Sequence, residues 1–399
     1  MKYIVLLGDG MSDEKLEELG GKTPLQAAKT PNMDYMAKRG VIGLAKTIPK
    51  GLPPGSDVAN LSVFGYDPRK CYTGRSPLEA ASMGVELASS DVSYRVNFVN
   101  LEARGKTLLM KDYSAGHIST EEGHELIKAL QKELGNDEFH FYPGVGYRHL
   151  LVWHKGTEKI ETVPPHDISG QSILNYLPKG KRSDELINLM NSSQLVLHNH
   201  PQYRARLEAG KNPANSIWLW GQGKAPKMDT FKSKFGLSGS VISAVDLVRG
   251  IGVYAGLEII KVKGATGYID TNYQGKAEAA IDSLKRHDFV YLHVEAPDEA
   301  AHSGNLEHKI KAIEDFDAKI VGPVMEGVRS MGEFRILCTP DHPTPLAKMT
   351  HTSDPVPFIL FSGEERENSD VKGYDEDSAA ASGVVVEKGY KLMSMLLKR

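Results

Sequence analysis

Cysteine is almost absent from this 399-residue chain: Cys71 and Cys338 are the only two. A pair is too few for a disulfide framework. Cys338 sits in the apolar run Ile336-Leu337-Cys338 and reads as a small core residue, not a reactive thiol. Long apolar runs are also missing. No stretch approaches the roughly 18 apolar residues of a membrane span. The N-terminal run Tyr3–Leu7 is ended by Gly8-Asp9, short of the roughly 7–15 residues of a signal-peptide core. Nor is there an excess of either charge: 48 Lys+Arg stand against 51 Asp+Glu, a net charge of −3. Without a dense basic block, a dedicated nucleic-acid binder is excluded as the main expectation. A cytoplasmic protein with neither a nucleic-acid nor a membrane partner is what these absences predict. In supply are 14 histidines, and hydrophobic residues at 40% of the chain. That is core material for two domains, or for one large α/β domain carrying an insertion.

Tyr3–Leu7 is a continuous apolar run, the pattern of a strand buried on both faces, and it stops at the tight turn Gly8-Asp9-Gly10. The same grammar returns at Asp288–Val294 before Glu295-Ala296-Pro297-Asp298, and at Phe334–Cys338 before Thr339-Pro340-Asp341-His342. Val356–Phe361 is a further run, and a helical stretch extends from Glu299 to about Met331. Strands alternating with helices predict an α/β fold, a mostly parallel sheet with helices on both faces. Ligands of such sheets bind at the carboxyl ends of the strands, and three of these strands lead into an aspartate.

The middle of the chain follows other rules. Val92–Val99 alternates like a strand, and Thr120–Leu134 reads as a helix opened by Ser119. Phe139–Phe141 and His149–Trp153 are strand candidates, and Ser183–Leu197 a second helix. This α+β pattern enclosed by α/β pattern predicts an inserted domain over 90–225, with 1–89 and 226–399 forming the core domain. The Glu/Asp/Ser/Ala-rich stretch 364–382 reads as a surface loop.

Asp9, Asp298 and Asp341 follow three strands, with His302 four residues beyond Asp298, His342 adjacent to Asp341 and His351 nine residues further on. Mixed oxygen and nitrogen donors of this kind suit Mn²⁺, Zn²⁺ or Mg²⁺. Six donors exceed what one ion normally takes from protein, so two metals, about 3.5–4 Å apart, are the natural count. Taken singly, each residue has a plainer reading: aspartate after a strand caps a helix, and a lone histidine is structural. Taken together, three strand-end aspartates with histidines at short offsets favour metals. Ser56, after the Gly/Pro-rich loop Gly51–Gly55, is the candidate nucleophile, its hydroxyl acidified by a cation; alone it reads equally well as a helix cap. Gly20-Gly21-Lys22-Thr23 imitates the end of a phosphate-binding loop, but Leu16 stands where that loop needs its first glycine.

Several segments carry a resemblance. Gly8-Asp9-Gly10-Met11-Ser12-Asp13, Gly55–Pro68, Gly74-Arg75-Ser76-Pro77-Leu78-Glu79-Ala80, Gly264–Tyr273 and Ala296–His302 are among them. With Thr339-Pro340-Asp341-His342 and Ser353–Pro357, they resemble the archaeal-type cofactor-independent phosphoglycerate mutases of the alkaline phosphatase superfamily. The likeness runs through essentially the whole chain. It implies an alkaline-phosphatase-like α/β core that binds metal, with the inserted α+β domain holding substrate. It further implies one divalent ion on Asp9, Ser56, Asp341 and His342 and another on Asp298, His302 and His351. Mn²⁺ is the first expectation for both, with Mg²⁺, Zn²⁺ or Co²⁺ as alternatives, and no bisphosphoglycerate cofactor. Ser56 would take the phosphoryl group of 3-phosphoglycerate and return it to the 2-hydroxyl of the retained glycerate. The partner is thus a small phosphorylated metabolite.

The chain departs from the family in the substrate shell. His117 and Trp220 stand where the family has arginines, and neither reproduces the bidentate fork of a guanidinium. Arg148 and Lys276 match anion-binding positions, and His166 with Asp167 falls in the matching loop. Those departures keep two alternatives open: a homoserine kinase-like phosphotransferase of the same family, and a metal-dependent phosphatase.

Overall fold

The apolar run that opens the chain becomes the middle of a sheet, with Ile4, Val5, Leu6 and Leu7 all fully buried. The computed structural model describes residues 1–363 and 370–398. Among these the strands are, in chain order, β1 (Lys2–Gly8), β2 (Val41–Ala45), β3 (Val92–Arg104), β4 (Thr107–Asp112), β5 (Phe139–Val145) and β6 (Arg148–Trp153). They continue with β7 (Ser216–Gly223), β8 (Gly239–Ile242), β9 (Glu258–Ile260), β10 (Phe289–Val294), β11 (Phe334–Thr339), β12 (Val356–Phe361) and β13 (Val385–Val386). Two compact units share them: residues 1–72 with 227–399, and residues 73–226.

The first unit holds an eight-stranded sheet in the order β13-β2-β12-β11-β1-β10-β8-β9. β1 runs parallel to both β10 and β11, as β8 does to β10 and β9, while β12 is antiparallel to its neighbours β11 and β2. The expected α/β class with a mostly parallel sheet is therefore what forms. Side chains alternate across a strand, so each face of β10 has its own neighbours. Val290 and Leu292 share a core cluster with Ala277, Ala280 and Leu284 of the helix Tyr273–Arg286. On the opposite face the ring of Tyr291 stacks on Phe64, at the end of the helix Ser56–Val63, with centroids 3.8 Å apart. The register sets Gly8 beside Val294, and Leu7 between His293 and Thr339. The loops after β1, β10 and β11 therefore leave the sheet at one level.

In the second unit β3 pairs antiparallel with β4, β6 and β7, and β5 with β6. The helix Thr120–Leu134 starts where expected: Ser119 caps it and exchanges hydrogen bonds with Glu122 in a capping box. Its Leu126, Ile127 and Leu130 pack in one cluster with Leu186, Met190 and Leu197 of the helix Ser183–Asn199.

Three details differ from the sequence-based expectation. The helix Ser76–Ser82 packs on β3 and β7, so the second unit begins at residue 73 where the pattern suggested 90. The long helix expected from Glu299 is broken at Gly304, whose φ is +65°, and restarts at Leu306 under an Asn305 cap. A π-helical turn, Asp317–Val321, interrupts it again. Of the acidic stretch 364–382, residues 364–369 lie outside the described residues, and Glu376–Ala381 is a helix, not a loop. The Glu376 carboxylate accepts hydrogen bonds from the Ser12 and Thr23 hydroxyls and from the Asp13 amide, which ties this helix to the loop after β1. No helix among the described residues is long and apolar enough to cross a membrane.

Candidate active site

The first unit brings seven of the expected residues into two adjoining clusters at the carboxyl edge of its sheet. Asp9, Asp341 and His342 form one, each buried. His342 Nε2 lies 3.4 Å from Asp9 Oδ1 and 3.3 Å from Asp341 Oδ2, and Ser56 Oγ stands 3.0 Å from the same nitrogen. Asp298, His302 and His351 form the other: Asp298 Oδ2 is 3.3 Å from His302 Nε2, and Asp298 Oδ1 is 3.5 Å from His351 Nε2. His342 also borders this second group. Ser56 does not cap its helix. Gly55 holds the N-cap position, Ser56 is the first helical residue, and its side chain turns toward His342.

The surroundings fix how each group is presented. Asn60, one turn beyond Ser56, donates one amide hydrogen to the Ser56 carbonyl and the other to Asp341 Oδ2, both at 2.8 Å. The Tyr291 hydroxyl donates to Asn60 Oδ1 at 2.7 Å, which settles the orientation of that amide. The Thr344 hydroxyl donates to Asp298 Oδ1, so His342 Nδ1–H is the donor to Thr344 Oγ at 3.2 Å, and Nε2 is left with a lone pair for the Ser56 proton. His302 donates from Nδ1 to the carbonyl of Met349 at 3.0 Å. Met349 itself has φ +51°, a costly backbone state for a residue with a side chain. Behind the loop, the fully buried Lys309 ammonium joins Asp13 Oδ2 at 2.7 Å and the Thr344 carbonyl at 2.8 Å, clamping the turn after β1 to the one after β11.

Charge in this pocket is unbalanced. Burial, and then the nearby Asp341 and Asp298, push the Asp9 carboxyl well above its usual range. Burial alone would raise Asp298 too, but hydrogen bonds from His302 and His351 hold it well below. The same Asp298 contact lifts His302 to about 9, while burial lowers His342. Two observations fit a site for divalent cations. Asp9 Oδ1 is buried and receives no hydrogen bond. His302 Nε2 faces His351 Nε2 at 2.9 Å, a distance at which two lone pairs repel unless a proton or a metal stands with them. Aspartate oxygens and imidazole nitrogens are also the donors that divalent transition ions accept.

Lys276 has another place than the sequence suggested. Its ammonium is buried, donates to the His293 carbonyl at 3.2 Å, and is pushed down to about 8, chiefly by burial. The remaining expected residues lie in the second unit along a belt of rings. His117 meets Tyr147 edge-on, Tyr147 meets Tyr113, Tyr113 meets His166, and His166 meets Trp220, with centroids 5.4–6.4 Å apart. Arg148 stands over Tyr147, and exposed Asp167 lies 3.6 Å from His166. The belt holds a cation that the sequence reading passed over. The Arg95 guanidinium lies 4.1 Å above the Trp220 ring, its cross-strand neighbour, and donates to Glu79 at 2.8 Å. His117 ends three successive left-handed residues, Ala115 (φ 49°), Gly116 (68°) and His117 (48°). Arg206 holds this turn by donating to the Ala115 carbonyl at 2.7 Å and to Glu122 at 2.8 Å.

A serine at a helix start, set against carboxylate–imidazole groups that could hold a metal ion at the carboxyl edge of an α/β sheet, marks a class of protein suited to activating a hydroxyl for group transfer. Comparison with known proteins gives the particular family. Residues 37–203 match the model of the 2,3-bisphosphoglycerate-independent phosphoglycerate mutases. A probable 2,3-bisphosphoglycerate-independent phosphoglycerate mutase of Geobacter sulfurreducens is 72% identical over the full length of both chains. A Methanosarcina barkeri relative of the same name is 55% identical, again over both full lengths. Among solved structures, a Pyrococcus horikoshii protein covers 99% of this chain and 96% of its own, at 30% identity and a TM-score of 0.84. The chain belongs to the 2,3-bisphosphoglycerate-independent phosphoglycerate mutase family. These likenesses support the mutase expectation over the kinase and phosphatase alternatives.

Proposed function

We propose that this protein interconverts 3-phosphoglycerate and 2-phosphoglycerate without a bisphosphoglycerate cofactor, acting in the cytoplasm through a phosphoserine at Ser56. The observation that carries the reading is the Ser56 hydroxyl 3.0 Å from Nε2 of His342, the imidazole that both carboxylate–imidazole groups share. Asp9, Ser56, Asp341 and His342 would hold one divalent ion, Mn²⁺ first, and Asp298, His302 and His351 the other. When bound, such ions offset negative charge on a transferring phosphoryl group and make the serine hydroxyl more acidic. The protein's own part begins with placing the hydroxyl: the helix start sets Ser56 Oγ beside His342. As the Oγ–P bond forms, the bond from phosphorus to the 3-oxygen of the substrate breaks, and the proton that Ser56 gives up is balanced by the one that the 3-oxygen takes. The reverse exchange places the phosphoryl group on the 2-oxygen of the same glycerate. His117, Arg148, His166 and Asp167 are the proposed substrate contacts.

Purified protein with Mn²⁺ and 3-phosphoglycerate alone, followed by phosphorus NMR, tests the reading. Appearance of 2-phosphoglycerate is expected, with reversible loss on chelation, and with complete loss in Ser56→Ala at an unchanged melting temperature. Parallel samples with homoserine and ATP, and with unrelated phosphate esters, are expected to stay inert. Turnover by the Ser56→Ala protein would sink the phosphoserine, and phosphate release from many esters would replace the mutase with a phosphatase.

A further inference from the structure

We infer that His293 is a positioning residue for Asp9: it engages one carboxylate oxygen so that the other is the one turned toward His342 and Ser56. The inference rests on the reading of Asp9 as a cation ligand.

His293 stands on β10 beside Leu7, one residue before the end of the β1–β10 register, and its side chain is wholly buried. Its Nε2 lies 2.8 Å from Asp9 Oδ2, and its Nδ1 lies 3.2 Å from Ser243 Oγ, in the loop after β8. The Val245 amide in turn donates to Ser243 Oγ at 2.9 Å. Proton bookkeeping along this chain has one solution when Asp9 is ionised. A carboxylate cannot donate, so Nε2 carries the ring proton. Nδ1 of the neutral ring is then an acceptor, and the Ser243 hydroxyl, its oxygen already anchored by the Val245 N–H, is the donor within reach. Every hydrogen in the series points toward Asp9.

The consequence falls on the other oxygen. Asp9 Oδ1 is buried, accepts no hydrogen bond, and lies 3.4 Å from His342 Nε2. An untethered carboxylate rotates and offers either oxygen to a cation. One tethered at Oδ2 by a buried imidazole offers Oδ1 alone, in a fixed direction. Partners that orient metal ligands in this way are typically worth about 10- to 100-fold in metal affinity. The competing explanation is that His293 merely fills space in the sheet, in which case an apolar side chain of similar size would serve as well.

Manganese calorimetry on the full-length protein, first stripped with a chelator, separates the two. His293→Leu, which removes the N–H and keeps an apolar filler, is expected to weaken Mn²⁺ binding by about 10- to 100-fold. His293→Gln, whose amide N–H reaches toward the same oxygen, is expected to recover most of that loss. Ser243→Ala, which leaves the imidazole in place but removes its proton donor, falls between them. At saturating Mn²⁺, the KM for 3-phosphoglycerate is expected to stay at the wild-type value in all three. A folded His293→Leu protein with wild-type affinity overturns the inference, as does a His293→Gln protein that loses as much as the leucine variant. Should the leucine variant fail to fold, wild-type affinity in Ser243→Ala overturns it instead. Failure of the wild-type protein itself to take up Mn²⁺ removes the reading of Asp9 on which the inference rests, and the wild-type titration shows that separately.

Discussion

Replacing Gly10 by alanine isolates what the backbone contributes to the site. Gly10 has φ +63°, and its amide donates to Asp341 Oδ1 at 3.2 Å. A Cβ on it would lie 2.6 Å from Asp298 Oδ1, 2.7 Å from Thr344 Oγ1 and 2.8 Å from the Asp298 Cα. Two costs follow. The left-handed backbone costs an L-residue roughly 1–2 kcal/mol. Crowding against a backbone atom that cannot rotate away adds about 1–3 kcal/mol. Gly20 supplies the control: its φ is +65°, and nothing lies within 4 Å of the added Cβ. Gly10→Ala is thus expected to lose about 2–5 kcal/mol and Gly20→Ala only about 1–2 kcal/mol, read from urea unfolding of the chelator-stripped proteins. Because the crowded atoms belong to Asp298 and Thr344, Gly10→Ala should also weaken Mn²⁺ uptake, which Gly20→Ala leaves alone. Equal stability losses in the two variants, with equal Mn²⁺ affinity, would refute the reasoning.

Two further outcomes follow from the same geometry. Arg206→Leu strips the left-handed turn at Ala115–His117 of its carbonyl partner and leaves Glu122 without its cation; a loss on the order of 2–4 kcal/mol is expected in chemical unfolding, with a raised KM for 3-phosphoglycerate, and a change within about 0.5 kcal/mol would show that the turn holds itself. His302 is lifted from 6.5 to about 9 by Asp298, so its protonation stabilises the metal-free fold fully below pH 6.5, and this contribution is lost as the pH rises through about 9. The melting temperature of the stripped protein should fall across that window through this group, and Mn²⁺ binding at pH 7.5 should release a proton, seen as a binding heat that changes with the ionisation enthalpy of the buffer. A heat that is the same in every buffer would contradict the assignment.

How much of this was legible in the sequence depends on the range over which each feature is determined. The strands around the site were, because burial on both faces writes itself as an uninterrupted apolar run, as at Tyr3–Leu7 and Phe334–Cys338. The six clustered aspartates and histidines were, because a strand followed by Asp at each of three places is a local pattern whose convergence the parallel sheet then dictates. Ser56 could be placed only as cap or nucleophile, since the choice depends on His342, 286 residues away. For His293 and Tyr291 the sequence carries no expectation beyond the strand run Asp288–Val294 that holds them. Their signal was present but faint: in Phe289-Val290-Tyr291-Leu292-His293-Val294 the two polar side chains fall two apart, hence on one face, inside an otherwise apolar strand. Arg95 escaped for the opposite reason. In an alternating strand it looks solvent-facing, and only the pairing of β3 with β7 reveals that it is buried against Trp220. The long helix after Glu299 was misjudged because its composition stays helical through Gly304, where the chain turns left-handed to begin a second helix.

The two clusters are joined through three small groups. His342 belongs to both. The Thr344 hydroxyl donates to Asp298 in one and accepts from His342, which serves the other. Gly10 donates to Asp341 while its missing side chain leaves room for Asp298. Within these joints the hydrogen bonds are directional: the ring proton of His342 goes to Thr344, the hydroxyl proton of Thr344 goes to Asp298, and the Tyr291 proton sets the amide that holds Asp341. Asp9 Oδ1 is left without a hydrogen bond, and His342 Nε2 stands 3.4 Å from it and 3.0 Å from Ser56 Oγ. A set of donors ordered this way loses little rotational freedom when a cation arrives, because the orientation was fixed when the chain folded. It follows that substitutions at Thr344 and at His293 act on metal affinity through different tethers. Their effects should add, whereas those of Thr344 and Gly10, which crowd the same Asp298 oxygen, should not.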